Sequence, residues 1–175
     1  MKLKETEFEG LFIIELNVIN DFRGSFKKVY NEEFLDMNNL NSSFVDLNHS
    51  TSVNRGVLRG FHYQTPPFEE VKYVKCIKGR IIDYAIDMRK ESPTYLKTFS
   101  HELDENDNRA IYIPNFFAHG YMALEDGSEV IYLSSNKYSP THEKQINPND
   151  PSLNIDYPLI PILSEKDSNS KFLEI

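Results

Sequence analysis

The segment GVLRGFHYQ, residues 56–64, sets an arginine, a histidine and a glutamine into a run that is otherwise apolar or small. A neutral histidine, with an unperturbed pKa near ~6.5, is suited to take a proton at neutral pH, and an arginine holds anionic ligands through paired N–H donors. In a regular strand Val57, Arg59, Phe61 and Tyr63 share one face, while Leu58, Gly60, His62 and Gln64 share the other, so Arg59 and His62 would point apart. Gly60 between them marks a bulge or kink that would bring both to one cavity.

Five further side chains belong to the same chemistry. Lys72 opens the next strand-like run after the loop at 65–70 and would lie beside His62. His119 sits in IPNFFAHGY, Tyr132 in EVIYLSS with Tyr138 six residues on, and Asp167 in ILSEKD. Each has an ordinary reading when taken alone: a snorkelling lysine, a packed tyrosine, a solvated turn aspartate. A divalent-cation site on a strand-rich barrel would call for His-x-His with a nearby glutamate and a further histidine. This chain offers His62-Tyr63-Gln64, Glu69 or Glu70, and His119. Glutamine is a poor ligand and Lys72 would repel a cation, so no metal is expected.

The elements that must position these groups are mostly strands. β-branched, aromatic and aliphatic runs occur at 11–19, 25–30, 57–63, 71–77, 80–87, 110–113, 121–124 and 129–134. Lys78-Gly79 reads as a hairpin turn, residues 31–37 as a short helix, and the proline-rich stretch 140–175 as ordered loops with a turn or two of helix. Many short strands without alternating long helices predict an antiparallel sandwich or barrel. With 175 residues and neither a repeat nor a linker, one domain over 1–175 is expected.

Composition narrows the partners. The net charge is −8 with no basic block, which argues against nucleic acid. No apolar run is long enough to span a membrane, and the N-terminus MKLKETEFEG lacks a signal-peptide core, so a cytoplasmic location is expected. Cys76 is the single cysteine and reads as a small buried hydrophobe.

The motifs DFRGSF (21–26), NHSTSVNRGVLRGFHYQ (48–64), VKYVKCIKG (71–79), DMRKESPTY (87–95), IPNFFAHGY (113–121), IYLSSNKYSP (131–140), NDPSLNIDYP (149–158) and ILSEKD (162–167) occur in one order over nearly the whole chain. In this the chain resembles the dTDP-4-dehydrorhamnose 3,5-epimerase family. The resemblance implies an all-β double-stranded β-helix, a cupin-like jelly roll with a few short helices, that epimerises a nucleotide-linked 4-keto sugar without cofactors. It implies His62 as general base with Asp167 as its partner, and Tyr132 as proton donor on the opposite sugar face. Arg59, Lys72 and His119 would surround the sugar, with Lys72 near the C4 oxygen. Arg23, Asn48, Glu143 and Lys166 match further ligand-contacting positions, Tyr138 would flank the sugar or nucleotide, and Gln64, on the strand of the base, counts with the substrate-binding residues. The resemblance also implies a homodimer in which an N-terminal strand crosses to the partner.

Four positions depart from the family pattern. Lys28 stands for a usual glutamate and Asp46 for a usual glutamine, both at the nucleotide end; they are expected to pair with each other or to fit another base or diphosphate geometry. Phe116 replaces a glycine and Tyr157 a tryptophan, expected as packing changes. Thymidine is the leading nucleotide, with GDP- or CDP-linked 4-keto sugars, heptoses included, and inversion at C3 alone as alternatives. A metal-dependent cupin enzyme or a non-catalytic sugar-binding jelly roll are the alternatives of another class.

Overall fold

The computed structural model describes residues 1–173. In chain order its strands are β1 (Lys2–Glu5), β2 (Phe12–Glu15), β3 (Val18–Asp21), β4 (Gly24–Lys27), β5 (Asp46–Ser52), β6 (Leu58–Gln64), β7 (Lys72–Lys78), β8 (Arg80–Asp87), β9 (Thr98–Asp104), β10 (Arg109–Ile113), β11 (Phe117–Ala123), β12 (Ser128–Ser134) and β13 (Glu143–Gln145). Two short helices, α1 (Glu32–Met37) and α2 (Glu165–Ser168), complete the elements used below. The strands form a six-stranded sheet, β1-β2-β10-β7-β12-β5, a five-stranded sheet, β13-β6-β11-β8-β9, and a separate hairpin, β3-β4. All pairings within them are antiparallel.

Three apolar layers follow from this arrangement. Val74, Cys76, Ile81, Ala85, Leu103, Ile111, Tyr121 and Val130 from both sheets form the layer between them. Leu58, Phe61, Tyr84, Ile86 and Met122 face outward from the five-stranded sheet and are covered by the C-terminal segment through Ile146, Leu153, Tyr157 and Leu163. Ile14, Tyr73, Ala110 and Tyr112 on the outside of the six-stranded sheet pack against Leu35 of α1 and its flanks.

Lys78-Gly79 is not a hairpin turn. β7 bonds to β10 and β12, and β8 to β11 and β9, so both edges of each strand are occupied and the chain crosses from one sheet to the other at Gly79. The run 11–19 is likewise two strands, because Leu16 turns its N–H to Asn108 and the chain leaves the sheet to form the β3-β4 hairpin. β1, β5 and β9, all edge strands, carry too few alternating apolar residues to be read from sequence. Phe116, expected as a packing change, has φ +63 and so occupies the left-handed region where glycine is at ease. Tyr157 is a packing position, with its ring edge-on to Tyr84 and its hydroxyl donating to Pro148 at 2.9 Å.

β6 is irregular where the sequence asked for it. Arg59 pairs with Tyr121 and His62 with His119, so three steps on β6 match two on β11. The extra residue changes the face: Leu58 and Phe61 both enter the outer layer, while Arg59 and His62 both line the inner cavity. Gly60 makes this possible. A Cβ there would sit 2.6 Å from the Gly120 Cα, and its φ is +139. Gly60→Ala is therefore expected to destabilise the fold by on the order of 3 kcal/mol in urea unfolding, with loss of ligand binding in excess of the unfolded fraction. Wild-type stability in that variant would show that the close approach is dispensable.

Candidate active site

A cavity of about 480 Å³ opens between the sheets, of the size that small ligands occupy. β6 supplies Arg59 and His62, β7 Lys72, β11 His119 and Tyr121, and β12 Tyr132. The wall at one side is the C-terminal segment, which delivers Lys166 and Asp167. That segment is hydrogen-bonded alongside the start of β6: Leu58 N–H donates to Ile162 at 3.0 Å and Ile162 N–H to Gly56 at 2.8 Å.

Asp167 is thereby brought to His62 from 105 positions away, with His62 Nε2 donating to its Oδ1 at 2.7 Å. Ser164, the N-cap of α2, accepts from the Asp167 N–H at 3.1 Å and donates to Oδ2 at 2.9 Å, so both carboxylate oxygens are held. Burial alone would raise the Asp167 pKa, but the bond and charge of His62 and the Ser164 hydroxyl hold it below the usual carboxylate range. The Gln145 amide lies 3.3 Å from the same His62 nitrogen, and Glu143 lies 3.8 Å from the other.

His119, directly opposite His62 in register, donates Nε2–H to Asp83 Oδ2 at 2.8 Å, and Asp83 is fully buried. Tyr132 is half-buried; burial first, then Tyr121 and Glu70, raise its pKa above the ordinary tyrosine value. Lys72 lies two residues from the register partner of Tyr132 on the same inner face, and its Nζ donates to Glu70 at 2.5 Å. Arg59 donates to the Thr51 carbonyl at 3.0 Å. At the rim, Glu143 accepts from Lys166 at 2.8 Å and from the Tyr138 hydroxyl at 2.9 Å. Burial would raise the Glu143 pKa, and these two donors lower it below the usual value.

Seven of the residues singled out from sequence thus share one cavity: Arg59, His62, Lys72, His119, Tyr132, Lys166 and Asp167. Glu143 and Tyr138 join them through the rim bonds, and Asn48 and Asp46 lie on β5 opposite Tyr132 and Ser134. Arg23 and Lys28 are not brought in; Arg23 is exposed on the β3-β4 hairpin and paired with Asp21 at 2.6 Å. Lys28 and Asp46 form no ion pair with each other within the chain among the described residues.

Gln64 needs correction as a ligand-contacting residue. Its amide donates to Phe68 and Lys137 carbonyls at 3.0 and 3.2 Å and accepts from Ser139 N–H at 2.6 Å, which ties two loops and leaves nothing for the cavity. Among the described residues no group of three or more His, Cys, Asp or Glu side chains is placed to hold a metal ion. Sequence reasoning missed Asp83, Ser164, Gln145 and the pairing of Glu70 with Lys72. A carboxylate inside the apolar run RIIDYAID and the S-x-x-D spacing of SEKD were the signals for the first two.

The sequence model of the dTDP-4-dehydrorhamnose 3,5-epimerase family matches residues 5–174. A dTDP-4-dehydrorhamnose 3,5-epimerase of Shigella flexneri is 40% identical over 177 residues, covering 99% of this chain and 97% of that protein. The crystal structure of a dTDP-4-dehydrorhamnose 3,5-epimerase from Elizabethkingia anophelis superposes with a TM-score of 0.94 at 38% identity, covering 99% of this chain and 97% of that one. A dTDP-6-deoxy-D-glucose-3,5-epimerase from Legionella pneumophila, solved in complex with dTDP-4-keto-L-rhamnose, superposes at 0.91 with 33% identity, covering 98% and 92%. With the whole chain matched in sequence and in its cupin-like jelly roll, this protein belongs to the dTDP-4-dehydrorhamnose 3,5-epimerase family.

Proposed function

We propose that the protein inverts C3 and C5 of a nucleotide-linked 4-keto sugar, converting dTDP-4-dehydro-6-deoxyglucose to dTDP-4-dehydrorhamnose, with the jelly roll acting as one unit. The observation that carries this reading is the His62–Asp167 pair on one side of a cavity whose other side holds Tyr132 and Lys72. C3 and C5 both lie α to the C4 ketone, so loss of either proton gives an enolate and the ketone itself takes up the electron pair.

Asp167 fixes the tautomer by accepting from Nε2, which leaves the Nδ1 lone pair to take the carbon-bound proton. Lys72 donates to the C4 oxygen as charge builds there; single oxyanion donors of this kind contribute roughly 3–4 kcal/mol. Tyr132 then gives its proton to the opposite face of the same carbon. The old C–H bond ends as imidazolium N–H, the new one comes from the phenol, and solvent restores both groups before the second centre reacts. A raised Tyr132 pKa keeps the donor protonated for this role. Arg59 and Lys166 hold the diphosphate, and His119, oriented by Asp83, flanks the sugar.

The assembly is read as a homodimer with strand exchange. Ile19, Phe22 and Phe26 on the β3-β4 hairpin are 65%, 98% and 66% exposed, a poor arrangement for an isolated chain. Crossing to a second copy would cover them and bring Arg23 and Lys28 to the nucleotide end of the partner's cavity. No helix among the described residues is long and apolar enough to cross a membrane, and the cytoplasm is the compartment proposed.

Three measurements test this reading. Deuterium exchange from heavy water into the substrate should occur at both C3 and C5 with the wild type and disappear in His62→Ala; exchange persisting at both carbons would remove His62 from the base role. In a thermal-shift series of dTDP, GDP, CDP and UDP, dTDP should stabilise most, and stabilisation by GDP or CDP but not dTDP would overturn the thymidine assignment. Light scattering should find a dimer, and a Phe22→Asp/Phe26→Asp variant should run as a monomer; a dimeric variant would place the interface elsewhere.

A further inference from the structure

Behind Lys72 stands a carboxylate that the reaction scheme does not use. Glu70 ends the loop after β6, and its Oε1 accepts from Lys72 Nζ at 2.5 Å, with the two side chains only 12% and 10% exposed. The loop that carries it is pinned on both sides. Gln64 donates to the Phe68 carbonyl at 3.0 Å, Asn136 to Pro67 at 3.1 Å, and the Ser135 hydroxyl accepts from Val71 N–H at 2.8 Å. Glu70 is therefore a fixed point, whereas Lys72 is a four-carbon tether that would otherwise sample many rotamers.

We propose that Glu70 is the positioning residue of the cavity lysine: its carboxylate holds the Lys72 ammonium where the substrate's carbonyl oxygen docks, and it sets one negative charge beside Lys72, the diagonal neighbour of Tyr132 on the same face. The inference rests on the epimerase reading above and adds a residue to it. An ammonium has three donors. Glu70 takes one, which aims the remaining two into the cavity. The same carboxylate acts on Tyr132, where a neighbouring negative charge disfavours the phenolate. The other groups that Tyr132 faces are Tyr121 and His119 of β11, Arg59 and His62 of β6, Asp46 of β5 and Lys72 itself. Of these, Arg59 works against Glu70 on the tyrosine, while Tyr121 and Asp46 act in the same direction.

The test begins with wild-type turnover of the dTDP-linked 4-keto sugar, so a wrong reading of the reaction shows as an inactive wild type before any variant is judged. Glu70→Ala should lower kcat about 10- to 100-fold, as misplacement of a catalytic group does, with KM changed less than about threefold. Glu70→Gln keeps an oxygen acceptor for Nζ and should recover most of that loss. Because the amide carries no charge, the alkaline limb of its kcat–pH profile should move to lower pH. Wild-type kcat in Glu70→Ala, or equal losses in the alanine and glutamine variants, would overturn the positioning role. An unmoved alkaline limb in Glu70→Gln would overturn the charge role. Where Glu70→Ala fails to fold by thermal melt, the pH limb of Glu70→Gln decides alone: an acid shift supports the proposal and an unmoved limb overturns it.

Discussion

Two backbones meet at Gly60 and Gly120 with no room for a side chain between them: a Cβ on Gly120 would sit 2.6 Å from the Arg59 carbonyl, and one on Gly60 equally close to the Gly120 Cα. The three-against-two register at this crossing lets Arg59 and His62 share the cavity face while Leu58 and Phe61 share the outer layer. A regular strand would offer the cavity either the arginine or the histidine and would drive the other into an apolar layer, where a charge without a partner is costly. The outer layer that receives Leu58 and Phe61 is the surface on which the C-terminal segment packs, and that segment delivers Asp167. The His62–Asp167 pair thus depends on the bulge twice, once for the face of the histidine and once for the dock of its carboxylate.

The chain carries a net charge of −8, yet its cavity collects basic side chains, and all but Arg59, which donates to the Thr51 carbonyl, have a carboxylate behind them. Lys72 is backed by Glu70, Lys166 by Glu143, and the two histidines by Asp167 and Asp83. Desolvated charges need such partners, and a partner also fixes which donors remain free. His62 and His119 each commit Nε2 to a carboxylate, so neither ring can turn without leaving that carboxylate short of a donor. Asp83 is the deeper of the two and has one oxygen with no partner among the described residues, a sign of how little else in the apolar run RIIDYAID could satisfy it.

What was legible in the sequence follows a physical line. Residues in apolar strands with clear alternation, such as Tyr132 in β12 and Lys72 at the head of β7, could be placed on elements at once, and Gly60 could be read as an irregularity because the chemistry of Arg59 and His62 required one. Pairings between strands could not. Lys78-Gly79 has hairpin composition but joins two sheets, since which strand fills an edge is decided by the whole sandwich rather than by the turn. Gln64 was legible as an odd polar residue, though not as a loop tie, because its partners are backbone groups, at Phe68 in the loop that follows it and at Lys137 and Ser139 far along the chain. Arg23 in the turn of the β3-β4 hairpin and Lys28 just past it are exposed, away from the cavity, and their place in the fold was not legible from residue type alone.

Inversion at carbon requires an acid and a base on opposite faces of one ring, and the sandwich supplies that separation by construction. His62 and His119 are direct partners on β6 and β11 of one sheet, whereas Tyr132 and Lys72 are diagonal neighbours on β12 and β7 of the other. Stacked sheets lie about 10 Å apart with that space filled by their side chains, so a sugar ring needs the cavity of about 480 Å³ that opens between them. In the proposed mechanism the lysine acts at the C4 oxygen and the tyrosine at the carbon beside it, and their diagonal placement on one sheet keeps the two donors in register. The proposed base comes from the other sheet, where the extra residue at Gly60 sets His62 on the same face as Arg59.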